Sequence, residues 1–393
     1  MKILIIHTEY KYKGGESTVV EEEVKLLESA GHNVKLLKFF NNESQLLNLV
    51  QLPFNTVAYF KTCKALKNFQ PAIVHIHNLH FAGSNAIIYA VKSKGVPMVM
   101  TIHNFRLLCP SGTLFHKGKP FHNSLDENFC WTAIRKGVYQ NSKLITFWLA
   151  TSMWLHQKLR TWQIPDKLIF LSKHSKALFN NPKLHLEKKQ FIIKPNFTAQ
   201  PLLNEVVRKD HFLFVGRLSN EKGVELLLYT FSQLDATIKI AGDGLLKELV
   251  IKYATKFKNI EYLGLLSKNE IFNQLQSCTA LVFPSIWLEG MPLTIIESFA
   301  CGTPVIASNL GAMATMIVDG YNGLHFDVGD QLINSLSTQI KKWVALSINE
   351  KTVYRLNSYN TYLQEYTPEN NVQQLTAIYN SVIPQTQPLA LSI

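Results

Sequence analysis

Ala280-Leu-Val-Phe283 runs into Pro284-Ser-Ile-Trp-Leu-Glu289-Gly290-Met-Pro292-Leu-Thr-Ile-Ile-Glu297-Ser-Phe-Ala-Cys-Gly302-Thr-Pro304, which gives way to Val305-Ile-Ala307. The first and last pieces are short apolar runs without polar alternation, the pattern of a strand buried on both faces. Between them a helix is expected to begin near Pro292, because proline suits a first helical turn, where its missing N–H costs nothing. Strand, helix, strand makes one βαβ unit, and such a unit requires a parallel sheet covered on both sides.

The same alternation extends through the whole chain. In the first half, strands are expected at Lys2–Ile6, Asn33–Phe39, Ala72–Ile76, Pro97–Ile102, Leu168–Leu171 and Phe191–Lys194. In the second they fall at Phe212–Val215, Thr237–Ile240, Ile260–Leu263, Ala280–Phe283, Val305–Ala307 and Gly323–Phe326. The fold class is therefore α/β, with two doubly wound parallel sheets. The helix after the first strand carries a Val20, Val24, Leu27 stripe, with Glu21, Glu22 and Glu23 expected to face water and Gly31 to end it. Pro195 to Arg208 lacks periodicity and marks the junction. The domains are placed at 1–200 and 201–367, with 368–393 returning to the first. Val372, Leu375, Ile378 and Val382 form a late helical stripe after Pro368, and Pro384–Pro388 is expected to fray. Ligands of such sheets bind at the carboxyl ends of the strands, so the cleft between the domains is the expected site.

A chain of 393 residues and 44.7 kDa, 47% hydrophobic and 17% charged, is long enough for two cores and excludes disordered, collagenous and coiled-coil classes. The longest apolar run, Leu144–Leu155, falls well short of the ~20 residues a bilayer span needs. The start is too short in apolar residues for a signal peptide, and five scattered cysteines with no C-x-x-C fit a reducing compartment. A cytoplasmic location is expected. Charge is unevenly spread: residues 1–196 hold 26 basic and 11 acidic side chains, residues 197–393 hold 14 and 17. Ser44 to Leu125 contains no carboxylate. The first half should attract phosphate as anionic lipid, a pyrophosphate-linked acceptor or nucleic acid.

Several residues carry chemistry. Glu289 lies where the helix starts and Glu297 lies inside it; free N–H groups at the helix tip favour an anion, and a carboxylate deeper in can take both hydroxyls of a ribose. A helix cap and an ordinary salt bridge would account for the two glutamates equally well. In Phe212-Leu-Phe-Val-Gly216-Arg217-Leu-Ser-Asn-Glu-Lys222-Gly223 the glycine turns the chain off the strand end, and Arg217 and Lys222 are placed to neutralise a departing diphosphate. Gly14-Gly15 and Gly242-Asp243-Gly244 open helices, yet neither fits G-x-G-x-x-G or G-x-x-x-x-G-K-[ST]. His103, at the end of its strand, points to the cleft, where it could donate to a sugar hydroxyl or a developing charge. Cys109, His116, His122 and Cys130 lack the short paired spacings of structural zinc sites. No D-x-D metal anchor occurs anywhere. Four tryptophans between Trp131 and Trp162, interspersed with Phe147, Arg135, Lys136, Lys143, Lys158 and Arg160, suit either an anionic membrane surface or a core.

Glu289–Glu297 followed by Ala300-Cys-Gly-Thr-Pro-Val-Ile-Ala-Ser resembles the retaining GT-B glycosyltransferases of the group 1 (family four) type, which include bacterial cell-surface polysaccharide enzymes. Gly14-Gly15-Glu16, Val74-His-Ile-His77-Asn78, Thr101-Ile-His103-Asn104, Val215-Gly-Arg217, Lys222-Gly223 and Gly242-Asp243-Gly244 follow in the family's order. The resemblance implies a GT-B fold, an acceptor-binding first domain and a second domain that binds a nucleoside diphosphate sugar. It implies hexosyl transfer with retention to a glycan or lipid-linked hydroxyl, with no cofactor, no metal and no nucleic-acid partner. His103, Arg217, Lys222 and Glu289 are then the catalytic set. Gly15, Gly242, Asp243, Met291, Leu293, Thr294 and Glu297 are the donor-binding set, Glu297 on the ribose. Asn104 stands where many members have Asp, and Pro292 lacks the N–H that a glycine would supply. The Cys109–Cys130 loop has no assigned purpose. A peripheral site on the inner membrane face is the companion expectation. A nucleic-acid-binding protein or an NAD-dependent two-domain enzyme is the rival, with neither a helix-turn-helix, zinc-finger or RNP pattern nor G-x-G-x-x-G to support it.

Overall fold

The computed structural model describes residues 1–10, 14–41, 49–202 and 207–384. The first sheet contains β1 (Lys2–Glu9), β2 (Asn33–Phe40), β3 (Ile73–Asn78), β4 (Met98–Ile102), β5 (Lys167–Phe170) and β6 (Phe191–Ile193), in the order β2-β1-β3-β4-β5-β6. The second contains β7 (His211–Val215), β8 (Thr237–Ala241), β9 (Ile260–Gly264), β10 (Ala280–Phe283), β11 (Val305–Ser308) and β12 (Gly323–Phe326), in the order β9-β8-β7-β10-β11-β12. Every pairing in both sheets is parallel. All twelve expected strands form. The largest difference is at β1, which continues to Glu9 because His7, Thr8 and Glu9 stay in register with Lys38, Phe39 and Phe40.

Strand order reverses direction between β1 and β3 and between β7 and β10. At such switch points the flanking helices leave to opposite faces and open a crevice at the strands' carboxyl ends. The two crevices face one another across one cleft, and a single cavity takes its walls from both.

Five helices matter below: α1 (Gly15–Ser29), α2 (Thr56–Phe69), α3 (Lys143–Lys158), α4 (Leu293–Ala300) and α5 (Ile348–Glu365), with α6 (Pro368–Asn380) as the last. Gly31 follows α1 at φ +83°, the left-handed position that ends a helix. The buried face of α1 is centred differently from the expected stripe. Val20 and Leu27 are in the core and Val24 is half-buried, but Glu23 is 1% exposed. The face passes through 20, 23 and 27, at i, i+3 and i+7, so Glu23 points into the domain and not to water. Glu21 and Glu22 remain half-buried.

α4 starts at Leu293 with Pro292 as the extended residue before it (φ −73°, ψ 118°), one position later than expected. α5 and the residue that caps it lay Tyr362 and Tyr366 on the second domain's core, and α6 lays Leu375, Ile378 and Tyr379 on Ile3, Ile5, Val20 and Leu27 of the first. The chain thus crosses the cleft twice. Tyr362 Oη donates to the Thr198 carbonyl at 3.0 Å and Asn371 Nδ2 to that of Pro195 at 3.1 Å, tying the two crossings together. The late helix stops at Asn380, short of Val382. The expected fraying from Pro384 onward concerns residues that, after Pro384, lie outside the described ones.

Candidate active site in the interdomain cleft

A cavity of about 350 Å³ opens between the strand ends. The first domain contributes Gly15, Glu16, His103, Asn104, Phe105, Gly112 and Thr113 to its lining. The second contributes Gly216, Arg217, Lys222, Ser285, Trp287, Glu289 and the turn Gly290–Thr294.

Lys222 is the organised cation. Its Nζ donates to Glu289 Oε1 at 2.6 Å and lies 5.5 Å from the ring centres of both Phe283 and Trp287. Ser285 Oγ donates to the same carboxylate oxygen at 2.8 Å, so Glu289, 7% exposed, is held from two sides. Arg217 is different. Its side chain is 65% exposed and its nearest carboxylate, Glu221, is 3.9 Å away, leaving the guanidinium free to swing onto a ligand. Leu293 and Thr294 begin α4 and their N–H groups make no hydrogen bond among the described residues; the first bond of the turn is Ile295 N–H to the Pro292 carbonyl. Gly290 brings this turn against the first domain: a Cβ there would sit 2.9 Å from the His103 carbonyl oxygen. With Ala there, this turn or the His103 backbone must shift.

Three residues assigned to the donor are not on the cavity wall. Glu297 is one turn beyond Thr294 inside α4, and burial pushes its carboxyl above the usual range, with Lys268 opposing. Gly242 and Asp243 instead brace the Arg217 loop: Asp243 O accepts from Leu218 N–H at 2.9 Å. Gly242 (φ +143°) packs so closely that a Cβ would lie 1.9 Å from the Gly216 carbonyl oxygen. The glycine is required by that contact.

His103 lines the cavity and its Nε2 meets His77 Nδ1 at 3.0 Å. Behind His77 is a buried group that the sequence reading missed. Lys194 Nζ donates to Glu23 Oε2 at 3.0 Å, while His77 Nε2 and His75 Nδ1 lie 3.1 and 3.2 Å from Glu23 Oε1. Burial alone would raise the Glu23 carboxyl, but Lys194, then His77 and His75, outweigh it and hold it well below its ordinary value. Three ligand-type residues within 4.8 Å of one another suggest a metal, yet both ring nitrogens of His75 and one Glu23 oxygen are already engaged. His75 meets Tyr379 Oη and Thr101 Oγ1, both at 2.7 Å, and the Lys194 ammonium supplies the positive charge a metal would bring. The sequence signal for this group was His75-Ile-His77, two residues apart on one strand and so on one face.

Glu16 was also passed over as a site residue. It lines the cavity and burial pushes its carboxyl up to about 8, with Arg106 opposing. Asn104 holds its loop by accepting from Arg106 N–H at 3.0 Å. Cys109 and Cys130 are buried thiols, and with His116 and His122 they form no ligand cluster among the described residues. Of the tryptophans, Trp162 is in the core, whereas Trp131, Trp148 and Trp154 are exposed.

Residues 13–171 match the sequence family described as Glycosyltransferase Family 4, and residues 199–360 match Glycosyl transferases group 1. A glycosyltransferase of Methanocaldococcus jannaschii is 26% identical over 347 residues, covering 82% of this chain and 83% of its own. The Escherichia coli UDP-Gal:α-D-GlcNAc-diphosphoundecaprenol α-1,3-galactosyltransferase is 32% identical over 143 residues, 33% of this chain and 37% of that one. Among solved structures, Anabaena HepE in complex with UDP superposes with a TM-score of 0.67 at 16% identity, over 97% of this chain and 100% of HepE. No described helix is long and apolar enough to cross a membrane.

Proposed function

Since the chain belongs to the group 1 glycosyltransferases and has the GT-B architecture, we propose that its cleft transfers a hexosyl group from a nucleoside diphosphate sugar to a glycan or lipid-linked hydroxyl, with retention at the anomeric carbon. The observation that carries this is the convergence of Lys222, Arg217 and the free N–H groups of Leu293 and Thr294 on one cavity wall. The diphosphate sits there without a metal, as the missing D-x-D motif also suggests. Gly15 leaves room for it from the opposite side, where α1 begins.

The state of the cavity's carboxyls supports retention. The carboxyls among the described lining residues are Glu16 and Glu289. Glu289 is bound to Lys222 and Ser285, and Glu16 holds its proton at neutral pH. With neither carboxyl free to act, we assign the acceptor's proton to the departing phosphate oxygen, on the face it leaves. Glu297 meets the ribose where the donor runs past the cavity along α4.

The acceptor approaches over the basic first domain. Leu144, Phe147, Trp148, Trp154 and Leu155 form one exposed stripe on α3, flanked by Lys143, Lys158 and Arg160. Val57 and Phe60, on α2, are exposed as well. Apolar groups framed by lysines suit the inner face of an anionic membrane, where the lipid-linked acceptor of the E. coli relative gives a chemical precedent. A screen of nucleoside diphosphate sugars, read as release of free diphosphate, tests the function. It should turn over in excess EDTA, and the product's anomeric proton coupling should match the donor's. Release from none of the donors refutes it.

A further inference from the structure

We propose that Glu23 is a positioning residue of the cleft: acting through His77 it fixes the tautomer of His103, so that His103 offers the cavity a bare Nδ1, an acceptor for a neutral hydroxyl of the bound sugar. This deepens the reading above and rests on it for the identity of the ligand, but not for the placement of the protons.

The chain of contacts runs from the domain interior to the cavity wall. Lys194, after β6, holds Glu23 of α1; Glu23 faces His77 of β3; His77 faces His103 beyond β4. Glu23 and Lys194 are both 1% exposed and His77 is 3% exposed. The imidazoles are neutral: burial, then His75, pushes His77 down to about 4, and burial, then His77, puts His103 well below its ordinary value. Each ring therefore has one proton to place.

The placement follows from electrostatics. His77 Nε2 lies 3.1 Å from an ionised carboxylate oxygen, off the line of an ideal hydrogen bond. A lone pair at that distance would be repelled, so the His77 proton is on Nε2 and its Nδ1 is bare. His103 Nε2, 3.0 Å from that bare nitrogen, must then be the donor. His103 has spent its one proton, and its Nδ1 has no partner among the described residues. The expectation that His103 donates to the sugar is reversed: it accepts. A hydroxyl satisfies it, whereas a carboxylate in the same place would meet a lone pair.

Long-range ¹H–¹⁵N spectra of the histidine-labelled enzyme read the proton positions directly. The expected result is His103 and His77 both protonated on Nε2. The Glu23→Gln, Lys194→Met double variant removes both buried charges together, so neither is left unpaired. In it His103 is expected to populate both tautomers, and kcat/KM to fall about tenfold, the loss of one hydrogen bond to a bound hydroxyl. His77→Asn, whose amide oxygen takes the place of Nδ1, should keep the His103 tautomer, and His77→Leu should lose it; this pair decides the matter if the double variant does not fold. His103 protonated on Nδ1 in the unmodified enzyme, or a tautomer indifferent to both His77 variants, overturns the proposal. An enzyme that turns over no sugar donor but shows the expected tautomers refutes the functional reading alone.

Discussion

Lys222 Nζ and Glu289 Oε1 are 2.6 Å apart, and the two side chains are carried by the loops that follow adjacent strands, β7 and β10. The pair therefore spans the switch point of the second sheet. A cation fixed in this way costs no reorganisation when charge develops on a leaving diphosphate. Lys222→Ala is expected to lower kcat by ~10²–10³, the usual loss for one preorganised charge. Arg217→Ala, at an exposed and loosely held cation, should act more through KM and should lose its effect as salt is raised. Diphosphate release for the two variants at low and high ionic strength checks both. A normal rate in Lys222→Ala would remove the assignment.

Glu16 links the site to stability. Its folded pKa, about 8, is above the ordinary carboxyl value of 4.5. Between these values the folded state holds a proton that the unfolded state has released, so this residue makes stability fall as pH rises from about 4.5 to about 8. Glu16→Gln keeps the shape and removes the titration. Its melting temperature, relative to the unmodified enzyme, should be nearly unchanged at pH 4.5 and clearly higher at pH 8. A gap that shrinks toward pH 8 contradicts the half-buried, protonated carboxyl.

Much of this architecture was legible in the sequence because strands buried on both faces have to be apolar throughout, and the twelve runs show it without any partner. Lys222 and Glu289 were legible because each sits a few residues past such a strand. Glu23 was not. Its burial is paid for by Lys194, His75 and His77, which are far away in sequence and meet only when α1 packs on β3 and β6. The same limit applies to Gly242: a glycine that approaches a phosphate and one that approaches Gly216 have the same local sequence. Glu297 was placed on its helix correctly, but which wall that helix turn would face depended on where Pro292 let α4 begin.

The exposed stripe on α3 makes a separable prediction. Leu144 is 82% exposed and Phe147 43%, and neither touches the cavity. Leu144→Glu with Phe147→Glu should abolish flotation with vesicles containing anionic lipid while leaving turnover of a soluble acceptor unchanged. Equal flotation of the unmodified enzyme with neutral and anionic vesicles would argue against a membrane role for the basic half.

Gly242 distinguishes a brace from a ligand contact. At φ +143° a side chain is strained, and its Cβ would overlap the Gly216 carbonyl oxygen at 1.9 Å, so Gly242→Ala must shift either the turn after β8 or the loop that begins at Gly216. Since Leu218 N–H bonds to Asp243 O and Leu246 N–H to Leu218 O, the disturbance reaches Arg217 through the backbone. Gly242→Ala is expected to destabilise the second domain by about 1–3 kcal/mol, as a strained backbone position does, and to weaken diphosphate binding in step. Asp243→Asn keeps the backbone acceptor and adds no strain, so it should leave both quantities unchanged. If Asp243→Asn alone weakened nucleotide binding without lowering the melting temperature, its carboxylate would be a direct ligand and the brace would not be the explanation.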